Sequence, residues 1–195
     1  MFSKVKSIIS TIKSELRANM NGVASKTMRE AGMTADYRVN FGIELPRIEL
    51  IADYVKTNIA RELDIQQRMS LAQQLWKENV RECRILATML YPAEQMLEDV
   101  ADIWADDIRS VELAQISALY LFRNVTNASS LAFGWIADER EMKQIIGFYT
   151  AFHLLRNHEL AERSRQEIID QAKAVNSQNR QLAVIAGKIL NLLDD

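Results

Sequence analysis

At 195 residues the chain has the length of one domain, and its 24 basic and 26 acidic residues leave a formal net charge of -2. Six glycines and two prolines exclude turn-rich all-β folds, collagen and disordered linkers, while 48% hydrophobic residues suffice for a core without staples. A single cysteine, Cys83, excludes an intramolecular disulfide and a cysteine zinc site and fits a reducing compartment. No apolar run approaches the roughly 18 residues of a membrane span. Lys4, Lys6 and Lys13 interrupt any secretory segment. The composition predicts a cytoplasmic protein with no membrane partner.

Charge is uneven along the chain. Residues 1–60 carry +3, residues 61–120 carry -5 and residues 121–195 are neutral. A dedicated nucleic-acid binder usually shows a basic domain. Arg outnumbers Lys by 15 to 9, which leaves room for a basic stripe on one face.

Val5, Ile8, Ile9, Ile12 and Leu16 share one face of an amphipathic helix, with Lys4, Lys6, Lys13 and Arg17 on its other faces. Its modest stripe predicts packing on the next helix, and Asn21-Gly22 ends it. A short second helix runs to about Gly32, and a loop carries Tyr37, Phe41 and Gly42. Pro46 sits in the first turn of a third helix, buried through Ile48, Ile51, Ala52 and Val55. Three tryptophans then mark a repeat. Trp76, Trp104 and Trp135 each stand near a helix end, spaced 28 and 31 residues apart. A second helix follows each: Val80 to Tyr91, Ser110 to Phe122, and Glu141 to about Leu155. Their tyrosines, Tyr91, Tyr120 and Tyr149, are spaced 29 and 29. The unit is a helical hairpin of roughly 30 residues, and its equivalent tryptophans read as repeat core. The second helices are apolar almost all round, as Ile116, Ala118, Leu119, Leu121 and Phe122 illustrate, and so are buried. Asn176 or Ser177 caps a last helix with the stripe Leu182, Ile185, Ala186, Ile189 and Leu193. The predicted fold is all-α: one domain, residues 1–195, forming a right-handed α-solenoid of antiparallel HEAT-like helix pairs.

Sites for chemistry are few. His153 and His158 do not share a helix face and gain no carboxylate at zinc spacing, so no metal is expected. Cys83 reads as structural. No glycine-rich phosphate loop occurs, and no cofactor is implied. The acidic run Glu98, Asp99, Asp102, Asp106, Asp107 and Glu112 puts Glu98, Asp102 and Asp106 on one helix face. It reads as a solvated outer face or as carboxylates at the mouth of a cleft.

The string Leu75-Trp76-Lys77-Glu78-Asn79-Val80-Arg81-Glu82, followed by Ile85-Leu86-Ala87, resembles the tryptophan, arginine-glutamate and alanine signature of the DNA alkylation repair family. These are alkylpurine DNA glycosylases built from HEAT-like repeats. Phe41-Gly42-Ile43, Pro46-Arg47-Ile48, Asp102-Ile103-Trp104 and Trp135-Ile136-Ala137 keep the register, so the resemblance covers roughly Asn21 to Arg156. It implies chemistry in which a carboxylate stabilises the oxocarbenium-like sugar, aromatic faces hold the cationic base, and an arginine clamps a phosphate. The resemblance assigns the tryptophan to Val111, the aspartate to Gln115 and the arginine to Ile145. Met142 stands where an aromatic is expected, and Glu49 replaces a frequent basic residue. The nearest carboxylate is Glu112, one turn away, with Asp106 and Asp107 beyond it.

Three readings follow. The first is a family member that binds duplex DNA weakly, through Arg81, Arg84, Arg109, Arg123 and Lys143, without efficient base excision. The second is a scaffold for another protein. The third is an active glycosylase using Glu112.

Overall fold

The computed structural model describes residues 2–175 and 178–192. It is all helical, with 74% helix and no strand among the described residues. Val39 and Val80 form an isolated parallel bridge. No described helix is long and apolar enough to cross a membrane. The chain gathers into two compact units, Met1–Pro92 and Ala93–Asp195.

In the first unit α1 (Phe2–Ala18), α2 (Gly22–Glu30), α3 (Leu45–Tyr54), α4 (Ile65–Lys77) and α5 (Arg81–Leu90) follow in order. The stripe of α1 is buried at Val5, Ile8, Ile9, Ile12 and Leu16. It packs on α4 rather than on the next helix, because α2 has no buried residue to offer. Lys13 Nζ reaches Glu78 Oε1 at 2.6 Å and fixes the contact at its polar edge. Asn21 does not end α1; its side chain accepts from Ala24 N and starts α2. Pro46 stands in the first turn of α3, which continues into a π-helical turn at Val55–Ile59 closed by Ala60 N on Val55 O. Asp64 and Gln67 form a reciprocal capping box at the start of α4.

The loop between α2 and α3 carries no regular structure, so its backbone needs partners elsewhere. Asn79 O accepts from Val39 N, and Val39 O accepts from Arg81 N. Glu82, fully buried, accepts from Phe41 N at 3.1 Å and from Ile43 N at 3.3 Å. Arg81, 2% exposed, donates through one nitrogen to Glu82 at 2.9 Å and to Ile43 O at 2.9 Å. Gly42 lies at φ +71°, and a Cβ there would stand 2.3 Å from Ser25 N, so only glycine lets the loop cross α2 this closely. The assignment of Arg81 to a phosphate backbone is thereby corrected. Its guanidinium is sealed in the core by a carboxylate and a carbonyl.

The second unit contains α6 (Glu98–Asp107), α7 (Val111–Tyr120), α8 (Ala128–Ile136), α9 (Glu141–Arg156), α10 (Glu162–Ala174) and α11 (Arg180–Asn191). Ser110 caps α7 through Leu113 N. The helix α9 is central: α7, α8 and α11 all pack on it, and it is buried from Ile145 to Ala151. Gly147 makes the α8 contact possible, since a Cβ would fall 2.7 Å from Ile136 N. The expected caps Asn176 and Ser177, and Leu193 of the stripe, lie outside the described residues; Asn179 caps α11 through Gln181 N and Leu182 N. The helix α10 was not foreseen. It is rich in Glu, Arg and Gln and buries only Ile168, Ile169 and Ala172.

Trp76, Trp104 and Trp135 are 5%, 4% and 3% exposed, as expected of repeat core. Phe122 meets the Trp135 ring edge-on at 4.8 Å, and the indole N–H donates to Asp102 at 3.0 Å. The same carboxylate oxygen takes Lys143 Nζ at 2.6 Å, and Asp106 takes it at 2.9 Å, with Asp138 at 3.8 Å. Arg140 bridges Asp106 and Asp138 at 2.8 and 2.7 Å. The acidic face is therefore not simply solvated, because Asp102 and Asp106 neutralise a lysine that is 4% exposed. Lys143 is likewise corrected as a phosphate contact. Partial burial opposes ionisation of Asp102, but hydrogen bonds from Lys143 and Trp135 outweigh it and hold the carboxyl below its usual range. The hydrogen bonds from Arg140 hold Asp138 lower still. For Lys143, burial works against the charge, yet Asp102 and Asp106 raise its pKa overall.

Glu82→Ala leaves Phe41 N and Ile43 N without their acceptor and the buried Arg81 charge uncompensated. The expected cost is about 3–5 kcal/mol in urea unfolding, the range for breaking a buried pair. Because Asp102 and Asp138 are held low, their contribution is complete above the unfolded carboxyl value near about 4 and drains as pH falls below it. The penalty of Lys143→Met is accordingly expected to be larger at neutral pH than at about pH 3, compared by urea unfolding at both.

Candidate nucleic-acid interface

The positions that the resemblance assigns to excision lie on α7 and α9. Val111 and Glu112 open α7 behind the Ser110 cap, and both are half-buried. Gln115 follows one turn later. Its Nε2 donates to the Tyr149 hydroxyl of α9 at 2.6 Å. Tyr149 is 3% exposed; burial pushes its phenol up, with the Gln115 hydrogen bond working against the rise. The amide thus satisfies a phenol that would otherwise be a lone polar group between two apolar helices. Ile145, one turn before Tyr149, is 2% exposed and belongs to the core, while Met142 is half-buried. A neutral amide, a branched hydrocarbon and a buried isoleucine provide no formal negative charge, no π face and no phosphate clamp.

The remaining basic residues divide. Arg84 lays its guanidinium over the Trp76 ring at 5.3 Å, a cation–π contact within the first unit. Arg109 is exposed in the turn before α7. Arg123 is half-buried in the short 3-10 turn Phe122–Asn124, which packs against α9. Of the five residues expected at a phosphate backbone, Arg81 and Lys143 are withdrawn into ion pairs.

Sequence reasoning passed over Arg156 on α9 and Lys188 on α11. Lys188 Nζ stands 5.8 Å from the centre of the Tyr149 ring. His153 stands one turn beyond Tyr149 on α9. Burial first, and then the charges of Arg123, Arg156 and Lys188, lower its pKa to about 4, so the imidazole is neutral at neutral pH. The visible sequence signal was His153 and Arg156 at i and i+3. Nothing local connects them to Lys188. No group of three or more His, Cys, Asp or Glu suited to a metal occurs among the described residues. Burial pushes the Cys83 thiol up to about 12, so it is an inert core side chain at neutral pH.

The architecture matches a solved structure described as a new family of proteins related to the HEAT-like repeat DNA glycosylases with affinity for branched DNA structures. The TM-score is 0.77 at 18% identity, over 94% of this chain and 74% of that one. At that identity the likeness establishes the fold: a HEAT-like helical repeat. No curated protein matches the sequence. The family model of the DNA alkylation repair enzymes matches residues 12–184. With the repeat tryptophans buried, the Arg81–Glu82 pair locked beneath its loop and the model matched over most of its length, the chain belongs to the DNA alkylation repair enzyme family.

Proposed function

We propose that this protein binds DNA through the phosphate backbone, with duplex and branched forms as ligands, and does not excise alkylated purines by the family's usual residues. The observation that carries this reading is Gln115. At the position the resemblance gives to a carboxylate stands an amide hydrogen-bonded to Tyr149 at 2.6 Å. As a glycosidic bond breaks, positive charge develops on the sugar, and only an interaction that strengthens with that charge accelerates the step. Losing one well-placed electrostatic group typically costs two to three powers of ten in rate, about 2.7–4 kcal/mol. A cationic lesion that already depurinates spontaneously then leaves near its background rate. DNA binding is supported by the family and by the branched-DNA affinity of the structurally similar protein. The scaffold reading has one observation behind it: Leu97 and Ile103, at the start and middle of α6, are 71% and 65% exposed.

Purified protein is expected to release no 7-methylguanine or 3-methyladenine from alkylated DNA above a no-protein control. Release that Glu112→Gln abolishes would make Glu112 the catalytic carboxylate. Release that survives that substitution would point to Asp106 or Asp107, or to a different chemistry altogether. In gel shifts with undamaged, abasic and alkylated duplexes and a four-way junction, binding is expected at micromolar affinity or weaker, falling steeply between about 50 and 200 mM salt. Absence of binding to every one of these would leave the scaffold reading in its place.

A further inference from the structure

The two ends of α9 treat positive charge differently. At its start Lys143 and Arg140 are surrounded by Asp102, Asp106 and Asp138. Toward its end α9 carries Arg156, the turn bearing Arg123 packs against this helix, and α11, packed on it too, brings Lys188 Nζ to 5.8 Å from the centre of the Tyr149 ring. None of these three has a carboxylate partner among the described residues. The Arg123 Nε is shielded from solvent and has no hydrogen-bond partner among the described residues. A guanidinium nitrogen held in that way lacks an acceptor, and the like charges gathered beside it give this part of the surface a positive potential. Among the described residues, one end of the helix thus holds a paired network and the other a group of cations with no carboxylate partner.

We propose that Arg123, Arg156 and Lys188, with Tyr149 beneath Lys188, form a binding site for a DNA phosphodiester on the α9–α11 side of the second unit. The proposal rests on the reading of the chain as a DNA-binding protein and names the part of it that holds the backbone. A phosphodiester suits the cluster chemically. It is a permanent anion with two unesterified oxygens, which accept from a guanidinium fork and from an ammonium together. The site adjoins the positions assigned to excision, since Gln115 of α7 donates to Tyr149, but its cations Arg123, Arg156 and Lys188 are other residues, and Arg156 stands beyond Ile145 along α9.

His153 reports on occupancy. The charges that act on it are Arg123 from the turn, Arg156 from its own helix and Lys188 from α11. All are positive and disfavour the imidazolium. A phosphodiester among them offsets that field, so binding raises the His153 pKa and draws in a proton as pH falls toward it. Affinity below neutrality then rises as pH is lowered, beyond what DNA titration itself contributes.

Two measurements on the full chain test this. The first compares binding of a fluorescent 20-base-pair duplex and a four-way junction by wild type, by the double variant Arg156→Gln/Lys188→Gln and by a charge-matched control, Lys6→Gln/Arg29→Gln. The exposed pair Arg156 and Lys188 is expected to lower affinity at least about tenfold at about 100 mM salt. It should also reduce the slope of log K against log salt by about 2, one per phosphate contact, while the control keeps wild-type values. The second follows the His153 ring protons by NMR in wild type, assigned with His158→Gln, as pH is varied with and without saturating duplex. The His153 midpoint is expected to move up from about 4 in the complex. If DNA binds but the double variant matches wild type, or the His153 midpoint does not move, the site is wrong and the DNA-binding reading stands. If no DNA binds to the wild type at all, that reading falls and the site with it.

Discussion

The N-terminal unit depends on one buried carboxylate. Glu82 is completely enclosed, yet its acceptors are occupied by Phe41 N, Ile43 N and the Arg81 guanidinium. An enclosed carboxylate is tolerated only when its lone pairs are filled and its charge is opposed, and this one meets both conditions. The consequence is topological. A loop with no secondary structure of its own is clamped to the start of α5, and α3 follows from that loop directly. Glycine at position 42 is a result of the same clamp, because the loop passes too close to α2 for any side chain. The signature that reads like a phosphate-binding arginine is in this chain a device for ordering backbone.

Lys143 performs a comparable task in the second unit with the signs reversed. Here the buried cation draws Asp102 and Asp106 together, and Asp102 also receives the Trp135 indole. Repeat core and ion-pair network therefore share one carboxylate oxygen. Residues that look available for ligands in a linear reading are committed to holding helices in place. The net charge of -2 consequently says little about partners. What matters is which charges are already paired and which are not.

The family fold is retained while the positions assigned to excision hold Val111, Gln115 and Ile145. Two of them have a structural occupation: Gln115 satisfies the buried phenol of Tyr149, and Ile145 belongs to the core around α9. A helical-repeat fold does not by itself fix chemistry, because it is stabilised by burial between neighbouring helices, whereas excision needs a few charges at a surface.

The sequence by itself determined the helices and most of what they bury. Periodicity located α1 and α3, the Trp and Tyr markers located the helix pairs, and all three tryptophans are core, because a local stripe specifies which face is apolar. It failed at α10, whose three buried residues are too few to mark a stripe amid Glu, Arg and Gln. Only the tertiary structure decided the fate of charged residues. Arg81 and Lys143 are written like exposed cations, and their acceptors, Ile43 and Asp102, lie 38 and 41 residues away in sequence. The converse holds for Arg156 and Lys188: His153 stands one turn before Arg156, but nothing local in the sequence connects that pair to Arg123 or Lys188. Burial of an apolar face is a property of one helix, but the state of a charge depends on what the rest of the chain brings to within a few ångströms of it.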